Sequence, residues 1–190
     1  VFFSMQGESS FVGWPTVFVR LSGCNMRCEW CDTTYAFEGG ETYSFDDLFN
    51  MIAQYDCRRI CVTGGEPLIQ EDVHPFMAAL CDKGYIVSLE TSGCAPTKNV
   101  DPRVYVILDI KCPGSKMAAY NIWENIDNLR AHDEVKFVIK DRADYEWAKG
   151  VCAKYDISGK TAMVLFSPVY GALAAHDLVA WTLEDNIDVR

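Results

Sequence analysis

Three cysteines fall within eight residues, Cys24, Cys28 and Cys31, in the stretch Gly23-Cys24-Asn25-Met26-Arg27-Cys28-Glu29-Trp30-Cys31-Asp32-Thr33. This C-x3-C-x2-C spacing constrains the chain more than any other feature. Three thiolates on one short loop can converge on a single metal centre. Iron–sulfur clusters are held by thiolates, usually four. Three ligands leave one iron of a four-iron cluster open to another molecule. Two plainer readings stand beside this one, a zinc site and three unrelated cysteines. Zinc sites pair a short C-x2-C hook with a second pair farther along the chain, and no second hook follows here. The loop also follows a strand-like run and precedes an acid and a hydroxyl, which unrelated cysteines would not require.

The chain of 190 residues fits one domain, 1–190, with a core of useful size. Its 49% apolar content agrees with a packed globule. No run of about 18 apolar residues is present, so no membrane span is expected. Val1-Phe2-Phe3 passes at once into a polar stretch, which does not read as a signal peptide. A net charge of −10 repels phosphate backbones and argues against direct nucleic-acid binding. The nine cysteines are an odd number in a chain that needs no staples, so a secreted disulfide scaffold is not expected. Cys57, Cys61, Cys81, Cys94 and Cys152 read as small buried hydrophobes in a reducing cytoplasm. Cys112 is set apart from them, because it lies at a strand end near the proposed site.

Strands are expected at 16–21, 59–63, 85–90, 104–110, 135–139 and 162–166, from β-branched and aromatic runs. Helices are expected from Ser44, over 72–83, over 145–155 and over 173–183, with a short one over 121–131. Ser44 is placed to cap, Asp46 and Asp47 suit a helix N-terminus, and Gly84 stops the second helix. Strands alternate with helices, and several strands are apolar throughout, which implies parallel strands buried on both faces. Six strands are too few for a closed eight-stranded barrel. The fold class is therefore α/β, a partial (β/α)6 TIM-like barrel with reduced helices. Polar residues gather at the strand C-terminal ends: Arg20 with Ser22, Thr63 to Glu66, Glu90 to Ser92, Asp109 with Lys111, and Ser167. In such sheets the site lies at that edge.

The cysteine loop, with an aromatic just before its last cysteine, resembles that of the radical S-adenosylmethionine (SAM) enzymes. Together with Met5-Gln6-Gly7-Glu8, Phe18-Val19-Arg20, Asp32-Thr33 and Thr63-Gly64-Gly65-Glu66-Pro67 it is similar to the 7-carboxy-7-deazaguanine synthases. The likeness runs from residue 2 to about residue 171. It implies a radical SAM-type barrel with a 4Fe-4S cluster on Cys24, Cys28 and Cys31. SAM chelates the open iron, and one electron cleaves it to a 5′-deoxyadenosyl radical. It places Trp30, Cys31, Asp32, Gly65, Asp109, Ile110, Lys111 and Ser167 against SAM. It places Met5, Gln6, Gly7, Glu8, Arg20 and Thr63 against a pterin substrate, and Thr33 on Mg2+.

The residues themselves agree with this in part. Two glycines let main-chain carbonyls approach the SAM amino group. A hydroxyl is a hard oxygen ligand of the kind Mg2+ takes. An Arg in an apolar strand needs an anionic or multi-acceptor partner. Glu8 accepts well from the adjacent donors of an aminopyrimidinone. Plainer alternatives remain at each place. Trp30 also reads as a core aromatic, Gly64-Gly65 as a tight turn with a solvated Glu66, and Thr33 as a cap. Arg20 also reads as a salt-bridge partner, and Ser167-Pro168 as a loop turn. Asp109-Ile110-Lys111 departs from the Ser-Pro-Lys common in that family, so Lys111 is the firmest of the three. His74, His132 and His176 lie away from the strand ends and have no expected catalytic role.

The implied reaction converts 6-carboxy-5,6,7,8-tetrahydropterin to 7-carboxy-7-deazaguanine with loss of ammonia, upstream of 7-deazapurines such as queuosine. The implied partners are the pterin, an electron donor such as a flavodoxin or ferredoxin, and a second copy of the chain in a homodimer. The family usually carries a further C-terminal segment beyond the point matching Arg190. Two other classes stand beside this reading: a radical SAM activase acting on a partner protein, and a non-catalytic zinc module.

Overall fold

A computed structural model describes residues Val1–Arg190. Seven strands form one sheet in sequential order: β1 (Phe2–Met5), β2 (Pro15–Leu21), β3 (Arg59–Gly64), β4 (Ile86–Thr91), β5 (Tyr105–Asp109), β6 (Glu134–Ile139) and β7 (Met163–Pro168). β2 to β7 are parallel throughout, and these are the six strands read from the sequence. β1 was not foreseen. It runs antiparallel to β2, pairing Phe2 with Phe18 and Met5 with Pro15. The partial barrel therefore has one extra edge strand.

The two faces of the sheet differ, and that difference makes the site. Val17, Val19, Ile60, Val62, Val87, Leu89, Val106, Leu108, Val135, Phe137, Val164 and Phe166 belong to one buried apolar cluster. Successive strand residues point to opposite faces, so the intervening residues share the other, concave face. They include Thr16, Arg20, Thr63, Ser88, Glu90, Asp109, Glu134, Lys136 and Ser167. The strands are buried on both faces as expected, but only one face is apolar. Helices cover the apolar side: α1 (Phe45–Ile52), α2 (Val73–Asp82), α3 (Arg142–Tyr155), α4 (Ile157–Lys160) and α5 (Ala175–Asp185). Ser44 and Asp47 form a reciprocal capping box at α1. Gly84 follows α2 with φ at +81°.

Two crossovers lack an α-helix, in line with the reduced helices expected. The expected helix over 121–131 is a 3-10 turn over Trp123–Asn128. Asn125 explains why. Its buried side chain donates to Gly93 O and Ala95 O and accepts from Thr97 N, at 2.9, 3.0 and 2.9 Å. It acts as the strut of the helix-free β4–β5 connection, and its tertiary contacts override local helix preference.

The segment between β1 and β2 closes the concave face from below. Gln6 N donates to Trp14 O at 2.9 Å, and Gly13 N donates to Gln6 O at 2.8 Å. Ser10 N donates to both carboxylate oxygens of Glu134 on β6, at 3.1 and 3.0 Å. No helix is long and apolar enough to cross a membrane.

Candidate active site

The cysteine loop leaves β2 and is fastened on several sides. Met26 is buried beneath it. The Arg27 guanidinium donates to Cys24 O and Met26 O at 2.8 and 2.7 Å and lies 4.2 Å from the Phe37 ring centre. Glu29 N donates to Ser115 O at 3.2 Å. All nine cysteines are free thiols, and those of the loop are half-buried. Burial pushes the Cys28 thiol up, Lys111 opposes that, and Asp109, Cys31 and Cys24 add to it. The three loop thiols thus share one electrostatic environment. No three His, Cys, Asp or Glu close around a single ion.

Gly64 and Gly65 acquire a reason different from carbonyl access. A Cβ on Gly65 would sit 2.2 Å from Gly23 O and 2.8 Å from the Cys24 Cβ. A Cβ on Gly64, whose φ is +157°, would sit 2.2 Å from Leu21 O. The glycine pair lets the end of β3 press against the cysteine loop. Gly65 N donates to Leu21 O and Glu66 N to Gly23 O, at 2.9 and 2.8 Å.

Glu66 is not solvated, as the turn reading supposed; it is fully buried. One carboxylate oxygen accepts from Leu68 N at 3.0 Å and the Thr91 hydroxyl at 2.7 Å. The other accepts from Ser92 N at 2.8 Å and from the Ser92 hydroxyl. It ties the ends of β3 and β4 together at the site's rim.

The concave face carries a network of charges. Lys136 Nζ bridges Glu8 and, at 3.4 Å, Asp109; Lys111 Nζ lies 3.0 Å from the same Asp109 oxygen. Burial works against the Asp109 carboxylate, but Lys111 and Lys136 outweigh it and hold its pKa below the usual range. Burial likewise opposes the charges of Lys136 and Lys111, yet the facing acids hold both ammonium pKa values up. Glu90 accepts from Gln6 Nε2 at 3.1 Å and from the Thr63 hydroxyl at 3.3 Å. Burial pushes its carboxyl up, with Lys136 and both hydrogen bonds opposing and Glu8 adding to it.

Two buried polar atoms in this region have no protein partner, Arg20 Nε and Asp109 Oδ1. Arg20 otherwise gives only a long 3.4 Å contact to Gly64 O, flanked by the Phe2 and Tyr35 rings, each 5.8 Å from the guanidinium carbon. It makes no salt bridge. Orphaned donor and acceptor atoms on a concave polar face are what a polar ligand would satisfy.

The other expected residues divide. Trp30 is half-buried and stands outside the apolar core, with Lys140 Nζ 6.0 Å from its ring centre. Thr33 does not cap the following turn through its side chain; its hydroxyl donates to Asp32 at 2.8 Å, placing two hard oxygens side by side. Met5 is exposed on the edge strand. Gln6 is buried, and its main-chain N–H is spent inside its own loop, so it pins Glu8 rather than offering a free backbone donor. Ile110 turns its side chain into the helix-facing core, which leaves only its backbone facing the site. Lys111 is pinned by Asn121, which donates to Lys111 O and accepts from Lys111 N, both at 2.9 Å. Ser167 lies on the concave face at the end of β7. Cys112, set apart from the other cysteines by its place at a strand end, is buried in the apolar core as they were expected to be. Cys94 is the cysteine near the loop: it is half-exposed, and its thiol donates to Asn25 at 3.0 Å.

Sequence reasoning missed Lys136. The available signal was the alternation of Glu134 and Lys136 with apolar neighbours on β6. A cavity of about 380 Å3 opens beside β2, where Arg20, Ser22, Thr42 and Gln70 line it together with Val19, Leu21, Phe45 and Phe76. It shares Arg20 with the concave face but holds none of Glu8, Glu90, Asp109, Lys111 and Lys136.

Residues 18–111 match the family model of the Radical SAM superfamily. A 7-carboxy-7-deazaguanine synthase of Chlorobaculum tepidum is 44% identical, with 100% of this chain and 87% of that protein covered. One of Koribacter versatilis is 43% identical, covering 100% and 90%. One of Thermoplasma acidophilum is 36% identical, covering 90% and 82%. In three dimensions the chain resembles the crystal structure of QueE from Escherichia coli, with a TM-score of 0.82 at 24% identity over 99% of this chain and 89% of that one. At that identity the likeness speaks to the fold.

Proposed function

The chain belongs to the 7-carboxy-7-deazaguanine synthase family of radical SAM enzymes, and from that premise we propose that it converts 6-carboxy-5,6,7,8-tetrahydropterin to 7-carboxy-7-deazaguanine and ammonia. The reaction is redox-neutral overall: both carbon–nitrogen bonds of the departing ring nitrogen break, a carbon–carbon bond forms to close the contracted ring, and the nitrogen leaves as ammonia with the two hydrogens that the ring carbons give up as the new ring becomes aromatic. The product is a precursor of 7-deazapurines such as queuosine.

The observation that carries this reading is the junction of two features. A loop of three free thiols sits at one end of a concave face, and that face holds Glu8, Thr63 and an Arg20 with an unpartnered Nε. The donor set fits a 4Fe-4S cluster with one open iron. Cys24, Cys28 and Cys31 would hold it, and Trp30, Asp32, Gly65, Lys111 and Ser167 would surround SAM. When bound, the two supply a 5′-deoxyadenosyl radical, while the protein positions the substrate and excludes competing reactions.

The chain's own residues divide that work. Arg20 offers a fork-shaped cation to the substrate carboxylate or ring oxygen. Glu8, steered by Lys136, accepts from the aminopyrimidinone edge, and Thr63 adds a hydroxyl. Thr33 with Asp32 offers hard oxygens to Mg2+. The reductant is an external one-electron donor such as a flavodoxin or ferredoxin. The apolar edge strand β1, with Phe2, Phe3 and Met5 exposed, suits burial in a homodimer.

One anaerobic assay tests the reading. Reconstituted protein receives carboxytetrahydropterin, SAM and dithionite, and the product is read by absorbance and mass. Formation of carboxydeazaguanine with equimolar ammonia is expected, and Cys28→Ala should form none. Uncoupled SAM cleavage with no pterin-derived product, in protein with a full cluster, would refute the assignment. An activase would in that case show radical transfer to a partner protein, and a zinc module would stay colourless.

A further inference from the structure

We propose that Glu90, on the concave face of β4, is a positioning residue that fixes the hydrogen-bond polarity of the pterin pocket and so selects an aminopyrimidinone edge. The inference rests on the pterin reading above and adds a residue and a selection rule to it.

The argument begins with which oxygen meets which donor. Glu90 Oε1 accepts from Gln6 Nε2, and Glu90 Oε2 accepts from the Thr63 hydroxyl. Both oxygens are committed, each to a different group. An ionised carboxylate only accepts, so neither neighbour has a choice of orientation. The second amide hydrogen of Gln6 faces Cys61 Sγ at 3.6 Å. Gln6 Oε1 is thereby turned toward Glu8, and accepts its backbone N–H at 3.2 Å. Thr63 has one hydroxyl hydrogen. With that hydrogen given to Glu90, it shows the pocket only lone pairs. Glu8 adds a carboxylate, held by Lys136. Half-buried beside the more deeply buried Gln6 and Thr63, one anionic residue fixes which way both of them point, and the Thr63 lone pairs with the Glu8 carboxylate make a row of acceptors.

A row of acceptors binds a ligand edge made of adjacent N–H donors, which is what a 2-amino-pyrimidin-4-one presents. It rejects the 2-oxo analogue, because carbonyl and acceptor would then face each other without water. Sites built to hydrogen-bond a group discriminate strongly against ligands that leave buried polar atoms unpaired. Glu90 does not touch the substrate in this scheme; it acts through Gln6, Glu8 and Thr63.

Losing the charge breaks the arrangement in a defined way. A glutamine at 90 has one accepting oxygen and one donating nitrogen. It serves Gln6 or Thr63 but not both, so one of them must turn a hydrogen toward the pocket. Protonation of Glu90 does the same, and burial already raises its carboxyl. The groups that face it are Lys136 on β6, Glu8 after β1, and Cys61 with Thr63 on β3, with Asp109 beyond Lys136. Its raised pKa means that protons bind above the ordinary glutamate range as pH falls, and the row of acceptors is lost there.

The experiment uses reconstituted, cluster-loaded protein. Glu90→Gln should raise KM for carboxytetrahydropterin about tenfold or more while kcat changes by less than about threefold and SAM affinity stays. Discrimination against the 2-oxo analogue should collapse. Wild-type KM should rise on acidification, and that acid limb should vanish in Glu90→Gln. A double cycle with Thr63→Val should give a combined effect smaller than the product of the single ones, because both act through one contact. Glu90→Asp keeps an acceptor-only group and should keep the acid limb, which decides the matter if Glu90→Gln fails to load its cluster. Unchanged KM and discrimination in Glu90→Gln, an equal fall in SAM affinity, multiplicative effects in the cycle, or a folded Glu90→Asp without the limb would each overturn the proposal. Wild-type protein that neither binds nor converts the pterin would instead overturn the functional reading beneath it.

Discussion

At the scale of single residues, half-buried Arg20 and fully buried Glu66 show how differently two charges on one rim behave. Arg20 is under-used by its own protein: its Nε has no partner and its other contact is long. Such a guanidinium is poised for a ligand. Lys carries the same charge as a point rather than a fork. Arg20→Lys should weaken carboxytetrahydropterin binding about tenfold or more, since a charged hydrogen bond contributes roughly 1.5–3 kcal/mol. SAM binding and cluster content should stay at wild type. Paired titrations of the two ligands check this, and equal weakening of both would place Arg20 in the scaffold. Glu66 is the opposite case, with four donors satisfied from within. Two of those donors, Leu68 N and Ser92 N, are main chain and cannot turn round. Glu66→Gln sets an amide nitrogen against one of them and should destabilise the fold by about 3 kcal/mol. A urea midpoint equal to wild type would show that the rim relaxes around the amide.

At the scale of elements, the contact between the glycine pair and the cysteine loop is the joint on which the site depends. Gly65→Ala puts a methyl where Gly23 O and Cys24 already stand. Those neighbours include backbone, so the loop itself must move. Iron content after reconstitution should fall by at least half, with far-UV circular dichroism little changed. Full iron loading of Gly65→Ala would mean that the loop has slack the packing does not suggest.

The six parallel strands were legible in the sequence because β-branched runs bounded by turns carry their own signature. β1 was not, because Phe2–Met5 has no period of its own and gains its strand from pairing with β2. The turn over Trp123–Asn128 was misread as a helix because nothing local announces that Asn125 is a strut. The gathering of polar residues at the strand ends was legible as well. Lys136 was not, and neither was the division into an apolar and a polar face. A polar residue every second place among Val, Ile and Phe looks like an apolar run until the sheet curls and gives its inner face a common centre.

At the scale of the whole molecule, acid should separate function from fold, because the carboxyls that serve each are shifted in opposite directions. The Arg103 hydrogen bonds hold Asp101 at about 2, well below its ordinary 3.8. Asp109 is also held low, against its burial, by Lys111 and Lys136. A depressed carboxyl contributes stability that is present above its unfolded pKa and is lost only as pH falls through its folded value. For Asp101 that loss runs from about pH 4 down to about pH 2. Glu90 runs the other way. Its pKa is raised, so its burial costs stability at neutral pH and protonation relieves that cost. On acidification Glu90 should therefore protonate first, and the fold tolerates this. The pocket then loses its row of acceptors while the sheet, its helices and the Asp101–Arg103 pair remain. Pterin affinity should fall at a pH where circular dichroism and cluster absorbance are still those of the neutral protein, and unfolding should follow at distinctly lower pH. Parallel titrations of affinity and ellipticity measure the gap. A single coincident transition would mean that the charged network on the concave face holds the sheet together rather than tuning what binds to it.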